Sequence, residues 1–369
     1  MSTMLIIDGN SLANRAFYAI THLSNSKGVP TNAVYGFMNM LQLAVRRFEP
    51  DTLFVAFDVS KKVFRHERFP DYKGTRTGMP EDLAVQLPLI KEALRYMNVE
   101  TFGMEGYEAD DIIGTMSAHN TAIGVDTIIL SGDRDLFQLV GDRVTVCFPR
   151  RGVSELEMIN IETLKEYYDL TPAGVIAMKS LMGDKSDNIP GVPGIGEKTA
   201  RKLLEQYGSL DGIYEHLDDF DGKKMGEKLA NGREDAYMSQ WLATINCKVP
   251  VDFEKLDFAF DAPDAVRLRE FYNSLELRQL ARQVAEDMPE ETVPAAPAYE
   301  GTVWPGVDEA VAALLTLEPG QFVFIVDTDK TGMPVQFSWR GEDNNTVRCE
   351  GEWPRIVNAV SELLTDPRT

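Results

Sequence analysis

The sequence contains little cysteine and little histidine. Its three cysteines, Cys147, Cys247 and Cys349, lie far apart and form no CxxC pair, so neither a disulfide framework nor a thiolate zinc site is indicated. The four histidines show neither metal-ligand spacing nor the order of a catalytic triad: His22, His66, His119 and His216. A cation site in this chain would therefore be built from oxygen ligands.

Long apolar runs are also missing. No run reaches the roughly 18 residues that a membrane span needs, and Asp8 interrupts the apolar N-terminal run too early for a signal peptide. We therefore expect no membrane association and a cytoplasmic location. A length of 369 residues with 44% hydrophobic residues allows a large core and more than one domain.

Positive charge is in deficit, with 37 lysines and arginines against 58 acidic residues and a net charge of -21. Such a balance argues at first sight against nucleic acid as a partner, because phosphate binding is largely electrostatic. The charge is segregated, however, and the segment from Lys61 to Arg76 carries six basic and two acidic residues. A basic segment beside carboxylate clusters suits a polyanion held by the first and a metal held by the second.

Four short apolar runs, at 4–8, 53–58, 126–135 and 144–148, alternate with stretches of helical periodicity. This alternation predicts an α/β fold with a mostly parallel central sheet flanked by helices. After residue 161 the pattern becomes helical, and a later stretch is rich in Pro, Ala and Glu. The predicted organisation is an α/β core at 1–180, a helical subdomain at 181–285, a linker at 286–300 and a further segment at 301–369.

Carboxylates follow the predicted strands. Asp8, Asp58 and Asp133 each stand where an apolar run ends, and the carboxyl ends of parallel strands meet at one edge of the sheet. Each residue alone could equally be a turn residue or a helix N-cap. The same alternative, an acidic first turn of a helix, applies to the three carboxylates in GYEADDIIG.

With two more carboxylates in GDKSDN, the candidate ligand set has nine members: Asp8, Asp58, Glu108, Asp110, Asp111, Asp133, Asp135, Asp184 and Asp187. So many anions in one place would repel each other strongly unless cations neutralise them. Oxygen ligands point to Mg²⁺ or Mn²⁺ rather than zinc. Two such ions about 4 Å apart would clamp the reacting oxygens of a phosphodiester.

The stretch GVPGIGEKT (191–199) is similar to a phosphate loop, but Glu197 intrudes before Lys198 and no strand precedes it. A helix-hairpin-helix type of turn explains it better, because glycines let backbone N–H groups approach a DNA phosphate. A plain connection between helices is the alternative. The candidate contacts are Gly191, Gly194, Gly196, Lys198 and Arg201. In the basic segment, Tyr72 could stack on a base, and Arg65 adds charge.

Six segments in order, IIDGNSLANRAFYA, FVAFD, FRHERFPDYKGTR, GYEADDIIGT, SGDRDLFQLV and GDKSDNIPGVPGIGEKTA, resemble the 5′-nucleases of the flap endonuclease superfamily. The resemblance spans about residues 3–285 and is greatest to the 5′-nuclease domain of bacterial DNA polymerase I. It implies a PIN-like fold and a structure-specific 5′ to 3′ exonuclease and 5′-flap endonuclease that removes flaps and RNA primers in replication and repair.

The resemblance also implies roles for individual residues. Asp8, Asp58, Glu108, Asp110 and Asp111 would hold or orient a first metal ion, and the remaining four carboxylates a second. Arg15, Lys73 and Arg76 would contact the scissile phosphate, with 59–80 as a helical arch. The glycine-rich turn would bind duplex phosphates and a K⁺ ion. The expected state is a monomer that acts on branched or flap DNA and on RNA-primed DNA, with a polymerase domain in cis if the chain is a fragment.

The last segment departs from this pattern. Asp327 and Asp329 in FVFIVDTDKTG resemble the Asp-x-Glu strand of a 3′ to 5′ exonuclease, with Asp in place of Glu, so 301–369 is interpreted as a partial or vestigial exonuclease segment. Two alternatives to a 5′-nuclease remain: a PIN-like ribonuclease and a non-catalytic binder of branched DNA. The glycine-rich turn argues against the first, and a binder has no use for nine carboxylates facing a polyanion.

Overall fold

The structure is a computed structural model. It describes residues 2–151, 155–256, 258–259, 262–287, 302–314, 323–328, 334–340, 344–348 and 352–365. The chain divides into two compact units, Met1–Met288 and Pro289–Thr369. Each unit is described separately below.

The first unit is built on a sheet of six strands in the order β3-β2-β1-β4-β5-β6. The strands are β1 Thr3–Asp8, β2 Thr52–Ala56, β3 Glu100–Phe102, β4 Asp126–Leu130, β5 Val144–Arg151 and β6 Glu155–Ile159. All neighbours pair in parallel except β6, which runs antiparallel to β5. The predicted mostly parallel sheet flanked by helices is thus confirmed.

Helices cover both faces of this sheet. On β1, Leu5 and Ile7 pack into one hydrophobic cluster, whereas Met4 and Ile6 pack into another on the opposite face. Burial on both faces explains why β1 is a continuous apolar run rather than an alternating one. The helices that follow the strands are α1 Gly9–Ala19, α2 Asn32–Phe48, α3 Arg65–Arg68, α4 Glu81–Ala84, α5 Gln86–Tyr96, α6 Ala109–Ile123 and α7 Ile161–Tyr168.

The segment 59–80, expected to be a helical arch, contains a single short helix, α3, among its described residues. Pro70 lacks an N–H for the helical ladder, and Lys73 adopts a positive φ of 55°. The segment is therefore mostly turns. Its backbone is fixed in part by the N–H of Lys73, which donates to the carbonyl of Asp187 at 2.8 Å.

A helical region follows the sheet and has its own cluster of buried side chains around Leu181, Leu203 and Ile213. Its helices are α8 Pro172–Met182, α9 Glu197–Tyr207, α10 Leu210–Glu215, α11 Lys224–Asn231 and α12 Arg233–Ala243. Helices α13 Ala265–Ser274 and α14 Arg278–Asp287 then return to the sheet, where Leu268 and Leu280 join the cluster of Leu5. The predicted helical subdomain is present, but its last helices pack on the α/β core.

The second unit has a four-stranded sheet in the order β7-β10-β9-β8. Its elements are β7 Thr302–Trp304, α15 Val307–Leu314, β8 Val323–Thr328, β9 Pro334–Arg340, β10 Asn344–Arg348 and α16 Trp353–Thr365. Asp327 lies in β8, whereas Asp329 and nearly all of the predicted linker lie outside the described residues. None of the described helices is long and apolar enough to cross a membrane.

We predict that a chain ending at Met288 folds on its own. The larger hydrophobic clusters of the first unit are built from residues between Met4 and Val284, and the cluster of the second unit from Val307 to Ile356. The shortened chain should therefore unfold within about 3 °C of the intact protein's main transition, measured by circular dichroism. A much lower midpoint would show that the core depends on the tail.

Candidate active site

A cleft of about 670 Å³ opens at the carboxyl edge of the central sheet. Five of the nine predicted carboxylates line it: Asp8, Asp58, Glu108, Asp110 and Asp133. Three of them follow β1, β2 and β4, whose carboxyl ends are adjacent in the sheet. The expectation that strand order brings Asp8, Asp58 and Asp133 to one edge agrees with this geometry.

Hydrogen bonds from neighbouring backbone orient these carboxylates. Asp8 accepts from the N–H of Ser11 at 3.0 Å and from the hydroxyl of Ser131 at 2.8 Å. Asp58 accepts from the N–H of Ala109, in the first turn of α6, at 2.8 Å. Asp8 is therefore a helix N-cap that also lines the cleft.

A second cluster lies beside the cleft. The cluster consists of Asp135, Asp184 and Asp187. Each contributes one carboxylate oxygen, and these three oxygens lie within 4.8 Å of one another. The ammonium of Lys179, from α8, contacts both Asp135 and Asp184. The sequence does not indicate that Lys179 lies near this cluster, because Lys179 is 44 positions from Asp135. The sequence of its helix is typical of an ordinary buried helix.

Burial and mutual repulsion make this site unfavourable for bare carboxylates. Burial raises the pKa of Asp8 to about 7, with smaller contributions from Asp133 and Asp58. Burial raises the pKa of Asp110 as well, again with Asp133 adding repulsion. The pKa of Asp135 rises to about 6 through burial and Asp133, despite Lys179. These ligands are all oxygen atoms, and they carry more negative charge than the nearby basic side chains neutralise. Such a site is suited to hard divalent cations.

Two basic side chains that were predicted to contact the scissile phosphate, Lys73 and Arg76, also line this cleft. Lys73 forms an ion pair with Glu108, and its Nζ lies 4.0 Å from Asp187. Arg76 pairs with Asp187, with its Nε 3.1 Å from Oδ1.

Arg15 is placed differently. It stands on α1 but is not among the residues that line the cleft. Its Nη2 donates to the carbonyl of Arg150 at 2.9 Å. Among the described residues that line the cleft, α1 contributes Asn10, Ser11, Asn14 and Tyr18 instead. Sequence reasoning did not select these four residues. Their polar side chains and helical spacing were visible, but their orientation depends on how α1 packs on the sheet.

Three residues of the predicted set are buried away from the cleft. Arg65 is 2% exposed and forms two 2.8 Å bonds to Asp111, which is fully buried. Tyr72 is 4% exposed, and its hydroxyl donates to Glu108 at 3.0 Å. These contacts correct two expectations: Arg65 and Tyr72 are not exposed for DNA, and Asp111 does not face the cleft. The basic segment folds back on α6, which local sequence does not reveal.

The glycine-rich turn presents part of the predicted surface. Gly194, Gly196 and Lys198 are exposed, and Gly194 adopts a positive φ of 79°. Gly196 precedes α9 and leaves the first N–H groups of that helix facing outward. Exposed backbone donors at a helix N-terminus are suited to an anion.

Gly191 and Arg201 serve the fold instead. Gly191 is buried, and a Cβ there would lie 2.2 Å from the nitrogen of Gly183. The guanidinium of Arg201 donates to the carbonyl of Tyr168 at 2.7 Å and pairs with Glu197 at 2.9 Å. Close backbone packing requires glycine at position 191, which corrects the expectation that Gly191 contacts DNA. Arg201 is oriented by α7 and α9, and 34% of its side chain is exposed.

The fold and the acidic cleft define the class of protein as a metal-dependent nuclease. Residues 3–169 match the N-terminal resolvase-like domain of 5′-3′ exonucleases, and residues 170–266 match the C-terminal SAM fold of the same proteins. The two matches are consecutive and together cover well over half of the chain. The chain belongs to the 5′-3′ exonuclease family.

Individual relatives agree with this family. The chain is 43% identical to DNA polymerase I of Bacillus caldotenax over 293 residues, which are 79% of this chain and 33% of that protein. It is 44% identical to DNA polymerase I of Streptococcus pneumoniae over 281 residues, 75% of this chain and 32% of that protein. The chain thus spans about a third of the length of these curated relatives.

Solved structures share the fold. Bacteriophage T5 5′-exonuclease, crystallised with bound zinc, superposes with a TM-score of 0.54 at 21% identity, over 77% of this chain and 98% of that one. The catalytic core of Rad2 in complex with a DNA substrate gives a TM-score of 0.52 at 16% identity, over 77% and 93%. The mixed, mostly parallel sheet with a helical SAM-like domain is the architecture that they have in common.

We predict that the metal-free protein loses stability as pH rises from 5 to 8. The pKa of Asp8 in the folded state, about 7, lies above its usual 3.8, so the folded state holds a proton that the unfolded state has released, and raising the pH favours unfolding. The thermal midpoint in EDTA should fall by on the order of 5 °C, and Mg²⁺ should restore more of it at pH 8 than at pH 5.

Asp8→Asn serves as the control, because the amide cannot ionise. Its midpoint should fall less between pH 5 and 8 than that of the wild type, although Asp110 and Asp135 remain. A midpoint that rises over this range in the metal-free wild type would contradict the electrostatic description of the cleft.

Proposed function

We propose that this chain is a structure-specific 5′-nuclease that hydrolyses phosphodiesters in 5′-flap DNA and RNA primers. The observation that carries the proposal is the convergence of five carboxylates with Lys73 and Arg76 on one cleft, next to the cluster of Asp135, Asp184 and Asp187. Acidic residues alone would repel a polyanion. Paired with divalent cations and two basic side chains, they form a phosphate-binding site of balanced charge.

We assign the divalent ions, Mg²⁺ or Mn²⁺, to two groups of residues. One is the cleft set, with Asp133 placed here rather than with the second metal as first expected: Asp8, Asp58, Glu108, Asp110 and Asp133. The other is the cluster of Asp135, Asp184 and Asp187. Ions bound there would supply an activated water and stabilise charge on the attacking and leaving oxygens.

Lys73 and Arg76 would hold the scissile phosphate. Both are already at the cleft and already paired with carboxylates, Glu108 and Asp187. If divalent ions bound those carboxylates, the ammonium of Lys73 and the guanidinium of Arg76 would be free to pair with phosphate oxygens. A preorganised donor of this kind stabilises charge in the transition state more than in the ground state. Thr75, Lys185 and Ser186 also line the cleft and are exposed to solvent.

The exposed part of the glycine-rich turn would hold the duplex. Gly194, Gly196 and Lys198 are exposed at the start of α9, where backbone N–H groups bind phosphate without reading sequence. We include a K⁺ ion at this turn in the proposal, since carbonyl oxygens such as that of Gly194 are suitable ligands. Lys228 donates to this carbonyl at 3.1 Å in the structure, so an ion would have to displace it.

The biological setting is proposed from the relatives. Because the curated relatives are DNA polymerases I of about three times the matched length, we propose that this nuclease works in replication and repair, with a polymerase domain in cis in the full-length protein. The solved Rad2 core was bound to a DNA substrate, which supports flap DNA as the partner here. We further propose a monomer that acts in the bacterial cytoplasm.

Asp133→Asn tests the function. The substitution keeps the size of the side chain and removes a cleft charge, so it should reduce single-turnover cleavage of a 5′-flap duplex in Mg²⁺ by about 10²-fold or more. Affinity for the same DNA, measured in Ca²⁺, should persist or increase because repulsion is reduced. The matched control is Asp142→Asn, an exposed aspartate outside the cleft, which should leave both quantities unchanged.

Three outcomes would contradict part or all of the proposal. Full cleavage by Asp133→Asn would remove this residue from the metal-binding set. Absent cleavage by the wild type in both Mg²⁺ and Mn²⁺, with flap binding retained, would favour the non-catalytic binder, and cleavage of single-stranded RNA alone would favour the PIN-like ribonuclease.

Gly194→Val tests the duplex contact separately. A branched side chain on a backbone with φ of 79° would strain the turn and block close approach of a phosphate. We expect flap-DNA affinity to fall by about tenfold, with the loss growing as salt increases, while the cleavage rate at saturating enzyme changes little. Gly124→Val, at a φ of 81° beyond the C-terminus of α6, controls for strain alone. Equal affinities in the two variants would show that the turn is only a connection between helices.

A further inference from the structure

Arg65 is among the largest fully buried side chains of the described chain, at 2% exposure. Its guanidinium makes five hydrogen bonds. Two go to Asp111 at 2.8 Å and one to Glu108 Oε2 at 3.2 Å. The others go to the carbonyls of Leu242 at 2.9 Å and Thr244 at 2.8 Å. Arg has five N–H donors, so each donor has a partner.

Asp111 is equally committed. One carboxylate oxygen accepts from Arg65 Nη2 and from the N–H of Asn246, both at 2.8 Å. The other accepts from Arg65 Nη1 at 2.8 Å and from the N–H of Glu108 at 3.2 Å. A carboxylate offers about four acceptor positions, and these four bonds fill them. A metal ion would have to displace a buried arginine to reach this side chain.

The pair controls how Glu108 faces the cleft. Glu108 Oε2 accepts from Arg65 Nη1 at 3.2 Å and from the Tyr72 hydroxyl at 3.0 Å. With that oxygen held, Oε1 is the one that contacts Lys73. The orientation of both a cleft carboxylate and its lysine therefore depends on a guanidinium that does not itself enter the cleft.

We propose that Arg65 and Asp111 are a positioning pair, and that Asp111 is not a metal ligand. Arg65 fixes Glu108 Oε2, which directs Oε1 and Lys73 into the cleft. Asp111 holds Arg65 in place and neutralises it. The same guanidinium ties the 59–80 segment to α6 and to residues 242–244, so three parts of the chain meet at one buried charge. This proposal rests on the proposed nuclease function.

The test removes both charges together, in the double variant Arg65→Met with Asp111→Leu. Replacing a buried ion pair by apolar side chains of similar volume leaves no unpaired charge, so the fold should survive. We expect a thermal midpoint below that of the wild type, because the carbonyls of Leu242 and Thr244 lose their donors. Flap-DNA affinity in Ca²⁺ should be unchanged, and the single-turnover rate should fall by about 10²-fold, as for a misplaced catalytic group.

If the proposal is correct, the double variant cleaves slowly because Glu108 is no longer held in its orientation. In a Glu108→Gln background, the same double replacement should lower the rate by less than about threefold, because the group to be positioned has already been altered. Equal losses in the two backgrounds would overturn the proposal, since they would mean that the pair acts only on general structure.

A second measurement does not depend on cleavage or on the double variant. Ca²⁺ titration of Asp111→Asn should give an affinity close to that of the wild type, whereas Asp110→Asn, one position earlier and lining the cleft, should weaken binding. A loss of Ca²⁺ affinity in Asp111→Asn as large as that in Asp110→Asn would overturn the proposal. If Arg65→Met with Asp111→Leu does not fold, Arg65→Lys keeps the charge without the two-pronged contact and should show the same dependence on Glu108.

Wild-type activity separates the two hypotheses. If the wild type cleaves a 5′-flap duplex and the double variant cleaves at the same rate, the positioning pair is wrong and the nuclease assignment stands. If the wild type does not cleave, the nuclease assignment fails, while the Ca²⁺ titration still decides whether Asp111 is a ligand.

Discussion

Mutual repulsion among carboxylates is the constraint on which this structure depends. The parallel sheet brings the ends of β1, β2 and β4 together, and each end carries an aspartate. Without compensation the charged cluster would oppose folding. The chain supplies its own compensation in Lys73, Arg76 and Lys179, each paired with a carboxylate at the site. These pairs offset part of the repulsion with charges from the chain itself.

The sequence predicts those parts of the site that are determined by residues close together in the chain. A strand is recognised by a short apolar run, and an aspartate at its end is adjacent in the chain, so Asp8, Asp58 and Asp133 could be predicted together from strand parallelism. The exposed turn at Gly194 was predictable for the same reason, because glycines and the following helix are consecutive. The mostly parallel sheet needed only the alternation of strands and helices.

Other features depend on distant contacts and could not be predicted. Arg65 looks like a surface charge in a basic segment, yet it is buried because Asp111 and the carbonyls of 242 and 244 surround it. Gly191 looks like part of a phosphate-binding turn, but the backbone of Gly183 packs against it. Lys179 has no motif at all. In each case the role is set by a neighbour that sequence patterns do not reveal.

The spread of the carboxylates along the chain has a consequence for synthesis. Asp8 is synthesised before the other carboxylates of the set, and Asp187 follows 179 positions later. Until that point is reached, the cluster of Asp135, Asp184 and Asp187 does not exist. A nascent chain, or a fragment cut within its first half, would carry the early aspartates and the basic segment without a complete site.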